Sequence, residues 1–157
     1  MKVPAPLLLL FALLPAACAG GGRSGGISTP GRGAIAIAVV PNPIVAARVA
    51  GDTYDFPFEV VVRETGGRPV GITRVTADVY ALGGIRVASE TYDAAKIRSL
   101  GYATAVPAAG ELRYRFNPRR AVPDERLFGG VFAELRVDAV DDLGTPASAT
   151  ATVTVRR

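Results

Sequence analysis

Apolar and polar residues alternate along most of the chain after residue 33, and a period of two is the mark of a half-buried β-strand. Residues 34–40 set Ile35, Ile37 and Val39 on one face and stop at Pro41-Asn42-Pro43. Residues 54–62 turn Phe56, Phe58, Val60 and Val62 inward, with Asp55, Glu59 and the following Arg63 outward. Pro57 falls inside this run and, lacking a backbone donor, predicts a frayed or edge stretch. Residues 111–117 place Leu112, Tyr114 and Phe116 in and Arg113 and Arg115 out. Residues 131–140 alternate in the same way, with Val131, Ala133, Leu135, Val137 and Ala139 in and Glu134, Arg136 and Asp138 out. The last run, 148–156, sets Ala149, Ala151, Val153 and Val155 against Thr150, Thr152 and Thr154.

Two segments depart from the simple pattern. In 70–82, Val70 and Ile72 share one face while Val75, Ala77, Val79 and Ala81 fall on the other parity, which predicts a β-bulge near Thr73 and Arg74. Gly83-Gly84 then closes a hairpin into a strand over 85–92. Residues 93–100 carry a helical signal instead: Asp93 suits the N-cap, Ile97 and Leu100 are spaced i, i+3, and Gly101 suits the position after the last turn. A short helix bridging two sheets is the expected result.

Seven alternating strands in residues 34–157 predict an all-β fold, a seven-stranded antiparallel immunoglobulin-like β-sandwich with one short helix near 93–100. Val137-Asp138-Ala139-Val140-Asp141-Asp142-Leu143-Gly144, followed by Ala149-Thr150-Ala151-Thr152-Val153-Thr154-Val155, resembles the closing hairpin of bacterial Ig-like or fibronectin-III-like domains. The opening Val39-Val40-Pro41-Asn42-Pro43 resembles their first strand. The chain has no Trp and a single Cys, so burial rather than a disulfide must stabilise such a domain.

The first 33 residues read differently. Thirteen of residues 1–17 are apolar, and Leu7 to Leu14 are an unbroken run of eight behind Lys2. A helix needs about 20 apolar residues to span a bilayer, so this run reads as a removed export signal. Leu14-Pro15-Ala16-Ala17-Cys18 resembles the lipobox of bacterial lipoproteins, with Pro15 standing where that family carries Leu. The resemblance implies that Cys18 is lipidated (palmitate among its acyl chains) and becomes the mature N-terminus. It also implies the outer rather than the inner membrane, because Ala19 and not Asp follows the Cys. Cleavage by an ordinary signal peptidase at Ala17-Cys18-Ala19 is the rival reading. Residues 19–33, rich in Gly and Ser, read as a flexible spacer with a root-mean-square span on the order of 20 Å. The expected organisation is thus a signal peptide over 1–17, a lipidated Cys with a Gly-rich linker over 18–33, and the sandwich over 34–157.

Composition then narrows the chemistry. The absence of His and the single Cys exclude Ser-His-Asp and Cys-His catalysis and most transition-metal sites. The Lys+Arg excess over Asp+Glu is +4, or +3 once Lys2 is removed with the signal, and the basic residues are scattered. That is too little for nucleic-acid binding. Asp138, Asp141 and Asp142 fall short of the six to eight oxygens Ca²⁺ wants and are read as turn chemistry. Arg119, Arg120 and Arg126, with outward Arg113 and Arg115, form a basic loop that reads as a solvated surface, with contact to acidic lipid headgroups, lipopolysaccharide phosphates or an acidic partner as the alternative. Tyr80 and Phe132 lie on the parity opposite to their inward neighbours. With Val140 they form the candidate interaction face, unless the 93–101 segment folds over it.

The expectation is therefore a lipid-anchored cell-envelope module with a structural or protein-binding role. No catalytic residue, metal or cofactor is expected. Its expected partners are the membrane, through the lipid, and envelope proteins or further copies of the chain. The alternative is a surface β-sandwich that binds carbohydrate or a small ligand, which would need an exposed aromatic platform.

Overall fold

The computed structural model describes residues 31–157; the expected export signal, Cys18 and most of the expected linker lie outside the described residues. All seven expected long strands are present: β1 (Ile35–Val40), β5 (Phe58–Glu64), β6 (Val70–Ala81), β7 (Ile85–Asp93), β9 (Glu111–Phe116), β11 (Phe132–Asp141) and β12 (Pro146–Arg156). Five short ones accompany them: β2 (Ile44–Val45), β3 (Ala47–Ala50), β4 (Thr53–Asp55), β8 (Ala105–Val106) and β10 (Arg119–Ala121). The larger sheet runs β2-β12-β11-β6-β7, antiparallel except for the parallel β2–β12 pair, with β8 beside β6. The facing layer is β1-β5-β9, continued by β3-β4-β10. The chain is an Ig-like β-sandwich.

Pro57 explains why the facing layer divides. The single run expected over 54–62 is split into β4 and β5, and Asn117-Pro118 splits β9 from β10 at the same level. The Phe56 N–H still donates to the Pro118 carbonyl at 3.0 Å, so the two three-stranded pieces form one interrupted layer. Across the sandwich, Val60 and Val62 of β5 and Val137 and Val153 of β11 and β12 are fully buried. Each such side chain contributes about 1.5–3 kcal/mol relative to exposure. Val61 is buried as well, although it points to the outer face; its cross-strand neighbour there is Arg113, whose aliphatic stem can shield it. A second small core of Ala46, Tyr54 and Phe128 fills the layer behind β3 and β4, with Tyr54 and Phe128 packed edge to face.

The phase slip in β6 is a bulge at the expected place. Arg74 pairs with Asp138 and Ile72 with Ala139, leaving Thr73 unpaired, so both Ile72 and Val75 reach the core. The helix α1 (Ala94–Ser99) is also as expected, with the Asp93 carboxylate accepting from Lys96 N–H at 2.7 Å and Gly101 at φ 84° ending it. It carries the chain from β7 toward β9, and only Ile97 drops into the core.

Candidate functional site

Two ends of the sandwich carry its unusual features. At one end, where the described chain begins, Glu64 and Asp141 are buried. Glu64 closes β5 just before the Gly66-Gly67 turn. Its carboxylate accepts backbone N–H bonds from Gly66 at 2.6 Å, Ala109 at 2.8 Å, Gly67 at 3.0 Å and Ala34 at 3.3 Å. Asp141 closes β11 and accepts from Thr145 at 2.7 Å, Leu143 at 2.9 Å and Gly33 at 3.1 Å. Burial pushes both carboxyls up, but the several backbone donors aimed at each outweigh it and hold both below the ordinary carboxylate value. Gly33, which the sequence pattern leaves in the linker, sits so close to β6 and β11 that a Cβ would lie 2.5 Å from that of Asp141 and 2.6 Å from Val70 Cγ1. Ala109 is the one non-glycine residue with positive φ (55°) among the described residues, and its N–H is one of those Glu64 holds.

The other two aspartates weighed for a cation are also engaged. Asp138 lies against Arg74 and Arg136, and Asp142 against Arg68. Among the described residues no group of three acidic, His or Cys side chains converges. Four of the five arginines of the basic loop, all but Arg126, face carboxylates too. Arg119 makes two hydrogen bonds to Asp55, Arg120 pairs with Glu90, and Arg113 and Arg115 share Glu59. Glu125 collects the Tyr54 hydroxyl at 2.6 Å together with Arg157, and Arg48 lies 3.8 Å away.

Tyr80 and Phe132 are brought together. They are direct cross-strand partners on the outer face of the larger sheet, half-buried, with ring centroids 5.0 Å apart and planes 14° apart. Val140 is not brought to them. It pairs with Gly71 and Pro146 at the far end of β11, beyond Glu134, Arg136 and Asp138 on the same face. The 93–101 segment does not cover the pair: Ile97, Leu100 and Tyr102 pack with Val75, Tyr92 and Tyr114 instead. Beside Phe132 a shallow open cleft of about 500 Å³ runs between Phe128–Val131 and Thr154–Arg157.

Beyond Tyr80 the β6–β7 hairpin leaves Leu82 72%, Ile85 67% and Val87 58% exposed. Neither this tip nor Glu64 stands out in the alternation of apolar and polar residues. The tip's signal is a stretch without charge other than Arg86 between Asp78 and Glu90; Glu64's is a carboxylate directly before Thr65-Gly66-Gly67.

No family model matches the chain, and no curated protein does. Solved structures do. A structural-genomics target, SoR45, is 12% identical over 78% of this chain and 86% of its own, with a TM-score of 0.56. The putative ApaA protein from Bordetella pertussis is 12% identical over 82% of this chain and 99% of its own, with a TM-score of 0.50. A CARDB domain from Pyrococcus furiosus, in complex with di-metal ions, is 16% identical over 81% and 91%, with a TM-score of 0.41. At such identities the likeness is one of fold.

Proposed function

We propose that the chain is a lipid-anchored Ig-like module of a bacterial cell envelope, tethered through Cys18, with a structural or protein-binding role and no catalysis. The observation that carries this reading is the fixing of the chain's entry. Gly33 and Ala34, the first residues after the linker, are locked to Asp141 and Glu64 at one end of the sandwich. A tether attached there leaves the Tyr80–Phe132 pair at the opposite end, free for an envelope protein or a second copy. The outer membrane is the proposed home, and the single Cys is accounted for as an attachment point. The aromatic platform asked of a carbohydrate binder is not favoured, because Tyr80 and Phe132 stack on one another rather than lying side by side.

The test is fractionation of cells carrying Cys18→Ala, combined with the mass of the mature N-terminus. The expected result is loss of the chain from membranes and of the acyl mass from the N-terminal peptide. A variant that stays fully membrane-bound overturns the lipoprotein reading. Photo-crosslinking from position 132 then identifies what the face touches.

A further inference from the structure

We infer that the tip of the β6–β7 hairpin is a second, reversible contact with a lipid surface, the same bilayer that holds the anchor. The inference rests on the lipid-anchor reading for where that bilayer is. Leu82, Ile85 and Val87 form an exposed apolar end around Gly83-Gly84, which have positive φ and open space where a Cβ would stand. Leu127, 40% exposed, belongs to the turn Glu125–Gly129, and Leu82 lies against the adjoining Gly130. Exposed aliphatic side chains at a hairpin tip suit insertion among acyl chains, where each buried CH₂ adds to the attachment.

The tip itself carries no acidic side chain that insertion would have to strip of water. Between Asp78 and Glu90 the only charged side chain is Arg86, 3.5 Å from Asp78, and the nearest acids on this sheet, Asp78 and its cross-strand neighbour Glu134, stand behind Tyr80 and Phe132. Tyr80 stands one step behind the aliphatic end, at the depth where tyrosine rings sit in membrane interfaces. Geometry permits the contact. The chain enters beside Val70, and the tip lies at the other end of β6, eleven residues or about 36 Å further on. From Cys18 to Gly31 the chain has thirteen steps, a reach of about 45 Å. The tether is thus long enough for the domain to lean over and touch its own membrane, with little length to spare.

That small margin supplies the test. The lipidated full chain carrying Val87→Cys, labelled with an environment-sensitive fluorophore, is reconstituted into vesicles of phosphatidylethanolamine and phosphatidylglycerol. The same label at Thr150, exposed on the outer face of β12, serves as reference. The expected result is a blue-shifted emission at least twofold stronger at position 87 than at 150, falling to the level at 150 on adding Leu82→Ser and Ile85→Ser. Deleting residues 20–27 leaves five steps, about 18 Å, and is expected to abolish the shift while the chain stays on the vesicles. No shift at position 87, or a shift that survives the deletion, overturns the inference; the second outcome assigns the tip to another copy of the chain. Failure of the anchor reads differently, as a chain that leaves the vesicles altogether.

Discussion

The two ends of this sandwich invert the usual placement of side chains in opposite senses. At the entry end, two carboxylates are buried and every oxygen is used by backbone donors. At the hairpin end, three large aliphatics are left in solvent. Burial of a charge is tolerable only when hydrogen bonds replace its hydration, so the entry end is specified group by group. Exposure of apolar groups needs no partner to fold, so the hairpin end is unspecified by the fold itself. The first arrangement is held by the fold, and the second makes no demand on it.

The sharpest way to break this comparison is at Glu64. Glu64→Ala strips the acceptor from the N–H groups of Ala34, Gly66, Gly67 and Ala109 at once. Bonds to a charged acceptor are worth about 1.5–3 kcal/mol each, and water can replace some of them, so a loss of roughly 3 kcal/mol is expected in urea denaturation. Glu64→Gln keeps one acceptor oxygen and should lose less. An unchanged midpoint in the alanine variant would remove the entry end from the account of stability.

The same carboxylates set the acid response. Glu64 and Asp141 are both held below their ordinary values, so the unfolded chain binds more protons than the folded one at mildly acidic pH. Their contribution is complete above the ordinary carboxylate range of about 4 and drains away as pH falls through the depressed values. Asp55, Glu59 and Glu111 are lowered too, with Arg119, Arg115 and Arg63 respectively as the chief cause, but these pairs face solvent and are screened by salt. A stability-against-pH curve repeated at high salt should therefore keep the part of its acid slope that Glu64 and Asp141 produce. Glu64→Gln should flatten that remaining part.

Much of the fold was legible because a strand's faces follow from period two alone. The Thr73 bulge was readable for the same reason: Ile72 and Val75 cannot both face inward on an unbroken strand. The Asp93 cap, Ile97 and Gly101 are a local signature and fell where expected. What escaped depends on distant chain. Glu64 meets donors 30 and 45 residues away, and those donors are backbone N–H groups, which every residue but proline carries. Val61 is buried though it points outward, beside an arginine that reads as a solvated charge. Of the proposed face, adjacency of Tyr80 and Phe132 was recoverable from parity and neighbouring strands. Val140 shared the parity but lies eight residues along β11, a separation that period two does not register.

Gly33 offers a milder perturbation of the entry end. A methyl group there must displace Val70 and the Asp141 side chain, both in buried positions, and overpacking of this kind costs about 1–3 kcal/mol. Gly33→Ala should thus lower the urea midpoint by less than Glu64→Ala does, and it should raise proteolytic cleavage near residues 31–34 more than elsewhere. A silent Gly33→Ala would place the true start of the domain at β1.

The smallest expected effect belongs to the hairpin end. Leu82→Ser with Ile85→Ser removes two aliphatic side chains that the fold leaves in water, and changes at such positions ordinarily shift stability by less than about 0.5 kcal/mol. The urea midpoint and the acid slope should both match the parent chain, since neither residue touches Glu64 or Asp141 and neither titrates. A loss above about 2 kcal/mol would mean that the tip is packed in solution, against another copy or another segment, and the contrast between the ends would collapse. If stability is unchanged, folding makes no demand on these side chains, and any loss of vesicle contact in the same variant belongs to the contact itself.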